Sequence, residues 1–506
     1  MPSTIEQWLR LNAVAGGSER YYHLNELEAW YWGLQYSNLA HGWDDVSYPL
    51  GHALAGQPIP TRKKRPSVRY PLARRMVTEA ADLLVGEGRF PLLTVDGAPD
   101  ATEALRTLLK KARATRRAHP LARMGISVGS VACALHFEAG RPTLILYPAK
   151  HCEPVFGDDD PAAAAQWGIE SDDLVSLRVQ YLFVEEQLRA GSWRRIWYGF
   201  RRDYTPNAIV DYDRPEIGED GADMQRIPTF REVRRVEHNY GFVPVEWFRT
   251  EEIEDTSDGS GLYESILDIL ADIDYALSRL AGAVEYNTDP LMVIRGIPHE
   301  EMRHVQALLM TGKGNTLSLG GGRMQGDSRD ATYLEITGSS LEAATKHIQE
   351  QRSRALECAQ VVIQRHEEGV GAQSGVSLRM LYRPMLSLIH GYREQFGSSF
   401  ERLASKLLRA ADRRRGELSF VLPTYSAGDV TAVWPPVFEL AGEELQAHAL
   451  TMAQLVGSRV LSHETAVERT AALLSVEDVE QEKKRIASEQ ADLVEAVPSE
   501  DDGGEV

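Results

Sequence analysis

Cysteine is scarce in this chain of 506 residues, which contains only Cys133, Cys152 and Cys358. Their number is odd, they lie far apart, and no CxxC pair occurs, so neither a disulfide framework nor a zinc site is expected. We therefore expect the protein to work in a reducing compartment.

Long apolar runs and an excess of basic charge are also missing. No apolar stretch approaches the roughly 20 residues that span a bilayer, and residues 1–12 lack the basic start and apolar core of a signal peptide. Acidic residues outnumber basic ones by 74 to 55, for a formal net charge of -19, which argues against wrapping of nucleic acid by a broad basic surface. We expect a soluble protein, or a member of a soluble assembly, that contacts nucleic acid only locally.

Motifs for catalysis are scarce as well. Residues 125–129 (GISVG) match GxSxG, but that elbow needs a strand before Ser127 and a helix after it, and the predicted order here is reversed. Residues 312–314 (GKG) lack the upstream glycine and the following Ser or Thr of a P-loop, and neither histidine-glutamate pair, at 299–300 or 366–367, extends to HExxH. We expect no metal, no cofactor and no enzymatic activity, with a serine hydrolase built on Ser127 as an alternative.

The composition, 43% hydrophobic and 25% charged, is that of a globular protein, and the length predicts about three structural units of about 150 residues. Apolar residues at spacings of three and four predict an N-terminal helical region, and alternating runs predict an antiparallel sheet or small barrel after it. The predicted helices are 4–11, 24–36, 70–85 and 101–117, and the predicted strands are 130–138, 142–147, 177–185, 192–200, 230–236 and 243–249. The fold class is therefore α+β.

Two long helices carry the most informative pattern. Apolar residues at 262, 266, 269, 273, 277, 280 and 284 form one face of a helix over 262–289, roughly 42 Å long at about 1.5 Å per residue. A small module follows, with a helix at 300–310 and strands at 291–295, 315–319 and 331–336, before a second helix returns over 339–365. The pattern predicts a stalk that leaves the body, carries the module and comes back.

The C-terminal third is predicted to be mainly helical. A helix over 377–413 is expected to break at Pro384. Strands are expected at 417–423 and 429–434, and two or three helices within 443–490. The composition of residues 491–506 predicts a disordered acidic tail.

Charges on the long helices indicate a possible surface for DNA. Glu264, Asp268 and Asp272 recur every four residues and form an acidic stripe off the apolar face. This stripe is either a solvated face or a surface that faces DNA without adhering to it, because like charge repels phosphate. Lys346 and Arg352 on the returning helix, with residues 313 and 323 in the module, are candidate phosphate contacts.

Several segments resemble, in order along the chain, the portal proteins of tailed bacteriophages. The likeness lies in residues 74–88 (RRMVTEAADLLVGEG), 237–245 (EHNYGFVPV), 260–296, 373–379 (QSGVSLR), and 433–436 (VWPP) with 461–465 (LSHET). The basic loop at 62–65 has no counterpart that we can assign.

The resemblance implies a portal-like fold in a ring of twelve subunits around a DNA channel. Its parts map to a wing (1–261, helical to about 120 and then β-rich), a descending stem helix (262–290), an α/β clip (291–338), a returning stem helix (339–366), a tunnel loop (367–376), a kinked tunnel helix with wing return strands (377–440), a helical crown (441–490) and the tail (491–506). The expected location is the virion, at one capsid vertex, with assembly in the host cytoplasm.

The resemblance also implies partners and contacts. The expected partners are further copies of the chain, the terminase large subunit, the head-tail adaptor, the major capsid protein, a scaffold protein and double-stranded DNA, with no membrane. DNA would be packaged through the ring by terminase, which fits the missing P-loop, and would later leave through it. The channel candidates are Glu368, Val370, Gln373, Lys313, Lys346, Arg352, Glu264, Asp268 and Asp272. A scaffolding or adaptor protein that forms no ring is the remaining alternative.

Overall fold

The computed structural model describes residues 18–36, 66–86, 88–189, 191–219, 229–253, 256–288, 291–295, 316–319, 330–334, 338–363, 375–425, 428–437 and 442–463, with a few single positions up to 488. The predicted helices at 4–11 and 300–310, the basic loop at 62–65, most of the tunnel loop and the acidic tail lie outside these residues.

The N-terminal region is helical, as predicted. Its helices are α1 (Ser18–Trp32), α2 (Leu72–Val85), α3 (Pro99–Ala112) and α4 (Ala114–Val128). In α2, buried residues recur at 73, 76, 77, 80, 81 and 84, which is the apolar stripe of a helix packed on a core.

The single helix predicted over 101–117 is wrong. Arg113 adopts a left-handed backbone with φ 55°, which ends α3 and starts a second helix in a new direction. That helix, α4, continues until Gly129 ends it with φ 92°.

The β-rich region forms two antiparallel sheets. The strands are β2 (Ser130–Glu138), β3 (Arg141–Pro148), β4 (Cys152–Phe156), β5 (Leu174–Arg189), β6 (Ser192–Tyr204), β7 (Ala208–Tyr212), β8 (Glu216–Glu219), β9 (Glu232–Glu237) and β10 (Val245–Arg249). One sheet has the order β10-β2-β3, and the other has the order β4-β5-β6-β7-β9, with β8 paired to β6. A short helix, α5 (Pro161–Trp167), lies between β4 and β5. A separate pair joins β1 (Leu92–Val95) to β14 (Val430–Val433).

The long helices and the module follow the predicted order. Helix α6 (Leu267–Thr288) begins after a 3₁₀ turn at Glu264–Ile266, and α7 (Gly338–Cys358) returns beside it. Between them β11 (Leu291–Arg295) pairs with β12 (Thr316–Leu319) in parallel and with β13 (Asp330–Leu334) in antiparallel. The returning helix ends seven residues before the predicted end at 365, and Gln360 just after it has a left-handed φ of 55°.

Helix α8 (Gly375–Arg413) is continuous, so the predicted interruption at Pro384 is wrong. An interior proline costs a helix about 3 kcal/mol. Met385 and Ile389 beside it are fully buried, and burial of each contributes about 1.5–3 kcal/mol, which offsets that cost. The strand predicted at 417–423 is also wrong, because a 3₁₀ turn at Arg415–Glu417 leads into irregular backbone. Helix α9 (Gly442–Gly457) follows β14.

The hydrophobic core is centred on α8. Phe396, Phe400 and Leu407 are buried, and α8 contacts α2, α3, β10 and β14. This one helix therefore connects the N-terminal helices to the sheets and to the returning chain.

Candidate functional site

The apolar face of α6 is buried at one end and exposed at the other. Ile266 and Ile273 are each 1% exposed, Leu277 and Leu280 are half-buried, and Val284 is 47% exposed. The helix is therefore fixed in the core at its start and leaves it towards the module. This gradient fits the stalk that the sequence predicts.

Helix α7 runs beside α6 along this stalk. Ile348 and Leu356 of α7 pack against the core, and Ala355 is fully buried. Next to Ile348, the imidazole of His347 lies 3.1 Å from the carboxylate of Asp272, and both side chains are about half exposed. A polar contact on the surface thus joins the two helices beside the residues that pack on the core.

A buried carboxylate anchors α6 to the N-terminal region. Asp274 is 1% exposed and accepts hydrogen bonds from the Tyr36 hydroxyl at 2.9 Å, the Gln35 amide at 3.1 Å and the Tyr70 backbone N–H at 2.7 Å. Burial raises the pKa of Asp274, against the effect of these donors. Sequence reasoning missed this residue, although an acid directly after the buried Ile273 was a signal for it.

Of the three acids in the predicted stripe, Glu264 has a structural role. Its carboxylate accepts from the Gly261 N–H at 2.9 Å and lies 2.7 Å from the imidazole of His23. The hydrogen bond between them lowers the pKa of Glu264 and raises that of His23. Asp268 and Asp272 are exposed on α6, so the solvated part of the stripe consists of these two.

The two basic candidates on α7 differ in their exposure to solvent. Lys346 has a side chain that is 78% exposed, 4.0 Å from Glu350. Arg352 is half-buried and donates from Nε to the Tyr70 hydroxyl at 3.2 Å. With Arg354 they line one shallow groove. The other candidates, Lys313, Glu368, Val370 and Gln373, lie outside the described residues.

Ser127 is not placed for nucleophilic catalysis. It is 4% exposed inside α4, and its hydroxyl donates to the Met124 carbonyl at 2.9 Å. The chain passes from helix α4 to strand β2, the reverse of a nucleophile elbow.

Among the residues that the structure describes, no group of three or more His, Cys, Asp or Glu side chains is placed to hold a metal ion. No helix among these residues is both long enough and apolar enough to cross a membrane.

The described residues thus form a mixed helix and sheet body and two long paired helices, with a three-stranded sheet between these helices in the chain. The family model described as "Phage portal protein, SPP1 Gp6-like" matches residues 14–496, and the chain therefore belongs to this family. The resemblance seen in the sequence is confirmed. Portal proteins are structural and not enzymes, so the hydrolase alternative is wrong.

Solved structures with similarity to the chain come from gene transfer agent (GTA) particles. The neck of the native particle, computed with C12 symmetry, gives 11% identity over 79% of this chain and 88% of the other, with a TM-score of 0.36. The virion of the native particle gives 12% identity over 77% of this chain and 84% of the other, with a TM-score of 0.35. The neck of the empty particle, computed with C6 symmetry, gives 12% identity over 79% of this chain and 88% of the other, with a TM-score of 0.37. No curated protein matches the sequence.

Proposed function

We propose that this chain forms a portal ring at one vertex of a phage capsid, through which double-stranded DNA enters during packaging and leaves during ejection. The observation that carries the proposal is the family match over residues 14–496. The burial gradient along α6 supports it, because a stalk that leaves the body can line a channel. Twelve subunits is the number that the sequence resemblance implies.

The parts of the ring follow the boundaries expected from the sequence. Residues 1–261 form the wing, 262–290 and 339–366 the two stem helices, 291–338 the clip and 367–376 the tunnel loop. The tunnel helix and return strands span 377–440, the crown 441–490 and the acidic tail 491–506. Helices α6 and α7 fall within the stem, and strands β11 to β13 within the clip.

The stem charges suit a channel that DNA passes through without being held. Asp268 and Asp272 repel phosphate, and symmetry repeats each of them around the ring. Lys346 and Arg352, with Lys313 in the clip, offer brief phosphate contacts. In the tunnel loop, Val370 and Gln373 offer steric or polar contact with DNA, and Glu368 adds a further acidic group to the channel. A uniformly basic wall would bind DNA through counterion release and stall it.

The proposed partners follow from this role. Terminase supplies the ATPase during packaging, and the head-tail adaptor replaces it on the clip afterwards. The wing contacts the major capsid protein and, during assembly in the host cytoplasm, a scaffold protein. The mature location is the portal vertex of the virion.

Native mass spectrometry with negative-stain imaging of the purified protein tests the proposal. We expect closed rings with a central hole and a mass close to twelve times 56.4 kDa. A stable monomer at high concentration would contradict the ring and favour the scaffolding or adaptor alternative. A matched variant, Val284→Asp, places a charge on the exposed end of the α6 apolar face and should weaken ring formation without unfolding the subunit.

A further inference from the structure

Arg393 of helix α8 is buried although two of its donors have no acceptor. The residue is 6% exposed, Nη1 donates to the Pro435 carbonyl at 2.7 Å, and the guanidinium lies 5.2 Å from the centre of the Trp434 ring. Nε and Nη2 are shielded from solvent and have no hydrogen-bond acceptor among the described residues. Buried polar groups without partners are rare in folded proteins and indicate a specific role.

The two unsatisfied atoms share one edge of the guanidinium. The N–H bonds of Nε and Nη2 point in the same direction, with the spacing that matches two oxygens of a carboxylate or a phosphate. The bond from Nη1 to Pro435 and the Trp434 ring fix the plane of the group. The edge left over is therefore the one that recognises an oxyanion with two parallel hydrogen bonds.

A second arginine contacts the same segment of the chain, two residues beyond Pro435. Arg89 donates to the carbonyl oxygens of Val437 at 3.2 Å and Asp82 at 3.0 Å, and neither acceptor is charged. Burial, together with the charge of Arg89, lowers the pKa of Arg393 to about 10. Neither arginine forms an ion pair within the described part of the chain. A buried cation without a carboxylate partner is unfavourable unless an anion joins it.

We propose that Arg393 forms the core of an oxyanion-binding site, in which its Nε and Nη2 edge holds a phosphate or carboxylate group. The oxyanion comes from solution or from an acidic side chain of a second copy of this chain. Because the edge is shielded from solvent, the surrounding side chains must part to admit it. The site itself does not depend on the portal role, since an ion from solution can fill it in a single subunit.

The first arm of the test compares thermal unfolding in sodium phosphate and in sodium chloride at equal ionic strength. We expect phosphate to raise the midpoint of the unaltered protein by a few degrees, because a ligand that binds only the folded state stabilises it. Arg393→Met should lose this response and should be at least as stable as the unaltered protein in chloride. Arg415→Met is the matched control, since the Arg415 donors all have acceptors in Asp412, Leu422 and Pro423. It should lose stability and keep the phosphate response.

The second arm measures the unfolding midpoint in chloride against protein concentration. A midpoint that rises with concentration in the unaltered protein but not in Arg393→Met identifies a carboxylate of a second copy as the ligand, whereas a response to phosphate alone identifies a free ion. The proposal is overturned if Arg393→Met matches the unaltered protein in both arms. It is also overturned if Arg393→Met unfolds as readily as Arg415→Met in chloride, because the guanidinium would then already be satisfied.

Discussion

Lys406 of α8 and Glu246 of β10 form a buried ion pair, with Nζ 2.7 Å from one carboxylate oxygen. Nε of Arg402 lies 2.7 Å from the other oxygen, and Nζ of Lys406 also donates to the Val245 carbonyl at 3.1 Å. Both charges of the pair are almost fully buried. The contact fixes the long helix on the sheet, so the position of the proposed tunnel helix depends on it.

Glu246→Gln should destabilise the subunit by about 3–5 kcal/mol, because it leaves the buried charge of Lys406 beside a neutral amide. Urea denaturation gives the change in the free energy of unfolding. Glu232→Gln is the control, since its ion pair with Arg235 is about half exposed and should contribute less than about 1 kcal/mol. Equal effects of the two substitutions would show that the buried pair has no special role.

Asp274 should make stability depend on pH. Burial raises its folded pKa above the unfolded value of about 3.9, so the folded state holds the proton more tightly. Its contribution to stability is therefore present below about pH 3.9 and is lost as pH rises through the folded pKa. The free energy of unfolding of the unaltered protein minus that of Asp274→Asn should fall as pH rises from about 4. A difference that stays constant between pH 4 and 7 would refute this prediction.

His136 should make the protein less stable as the pH falls. Burial lowers its pKa to about 4, below the unfolded value of about 6.5, so the unfolded state binds the proton first as pH falls. Its contribution to stability is present above pH 6.5 and is lost between about pH 6.5 and 4, by at most about 1.4 kcal/mol per pH unit. His136→Gln keeps a polar group beside the Tyr204 hydroxyl, 2.7 Å away in the native protein, and should remove this acid sensitivity in urea titrations.

Gly129 should tolerate no side chain. It has φ 92°, and a Cβ there would lie 1.9 Å from the backbone oxygen of Gly259. Gly168 has φ 65° but open space around it, so Gly168→Ala should cost only the left-handed strain of about 1–2 kcal/mol. Gly129→Ala should lower the thermal midpoint much more, because the backbone near residue 259 must move. Similar midpoints for the two variants would show that the close approach is unimportant.

If Asp268 and Asp272 face the channel, reversing their charge should make the ring hold DNA. Asp268→Lys with Asp272→Lys should raise affinity for double-stranded DNA and steepen its dependence on salt, because more phosphates are neutralised. Fluorescence anisotropy over a salt series measures both effects. Glu417→Lys, at a side chain that is 70% exposed, is the control for a general gain of positive charge. An equal gain in that control would place the two acids away from the DNA path.

Strong local periodicity made much of the fold predictable. The strand predicted at 130–138 coincides with β2, and the apolar face starting at 262 coincides with the 3₁₀ turn at Glu264–Ile266 and helix α6. The order of helices, sheets, paired long helices and module followed from these patterns. The resemblance to portal proteins also rested on short segments that the sequence contains directly.

The candidate site was less predictable, because periodicity does not show which partner a charged side chain meets. Glu264 fitted an acidic stripe but binds His23 and Gly261. Asp274 lay outside that stripe and proved to be the buried anchor of α6.

The sequence by itself determined the family, the types of most elements and the absence of an enzymatic motif, since these depend on residues close together in the chain. Only the tertiary structure decided that α8 continues through Pro384, that Arg113 divides a helix, and that Arg393 is buried with no ion pair to any residue that the structure describes. The reason is that packing between distant segments can outweigh a local preference of a few kcal/mol, and no local pattern contains those contacts.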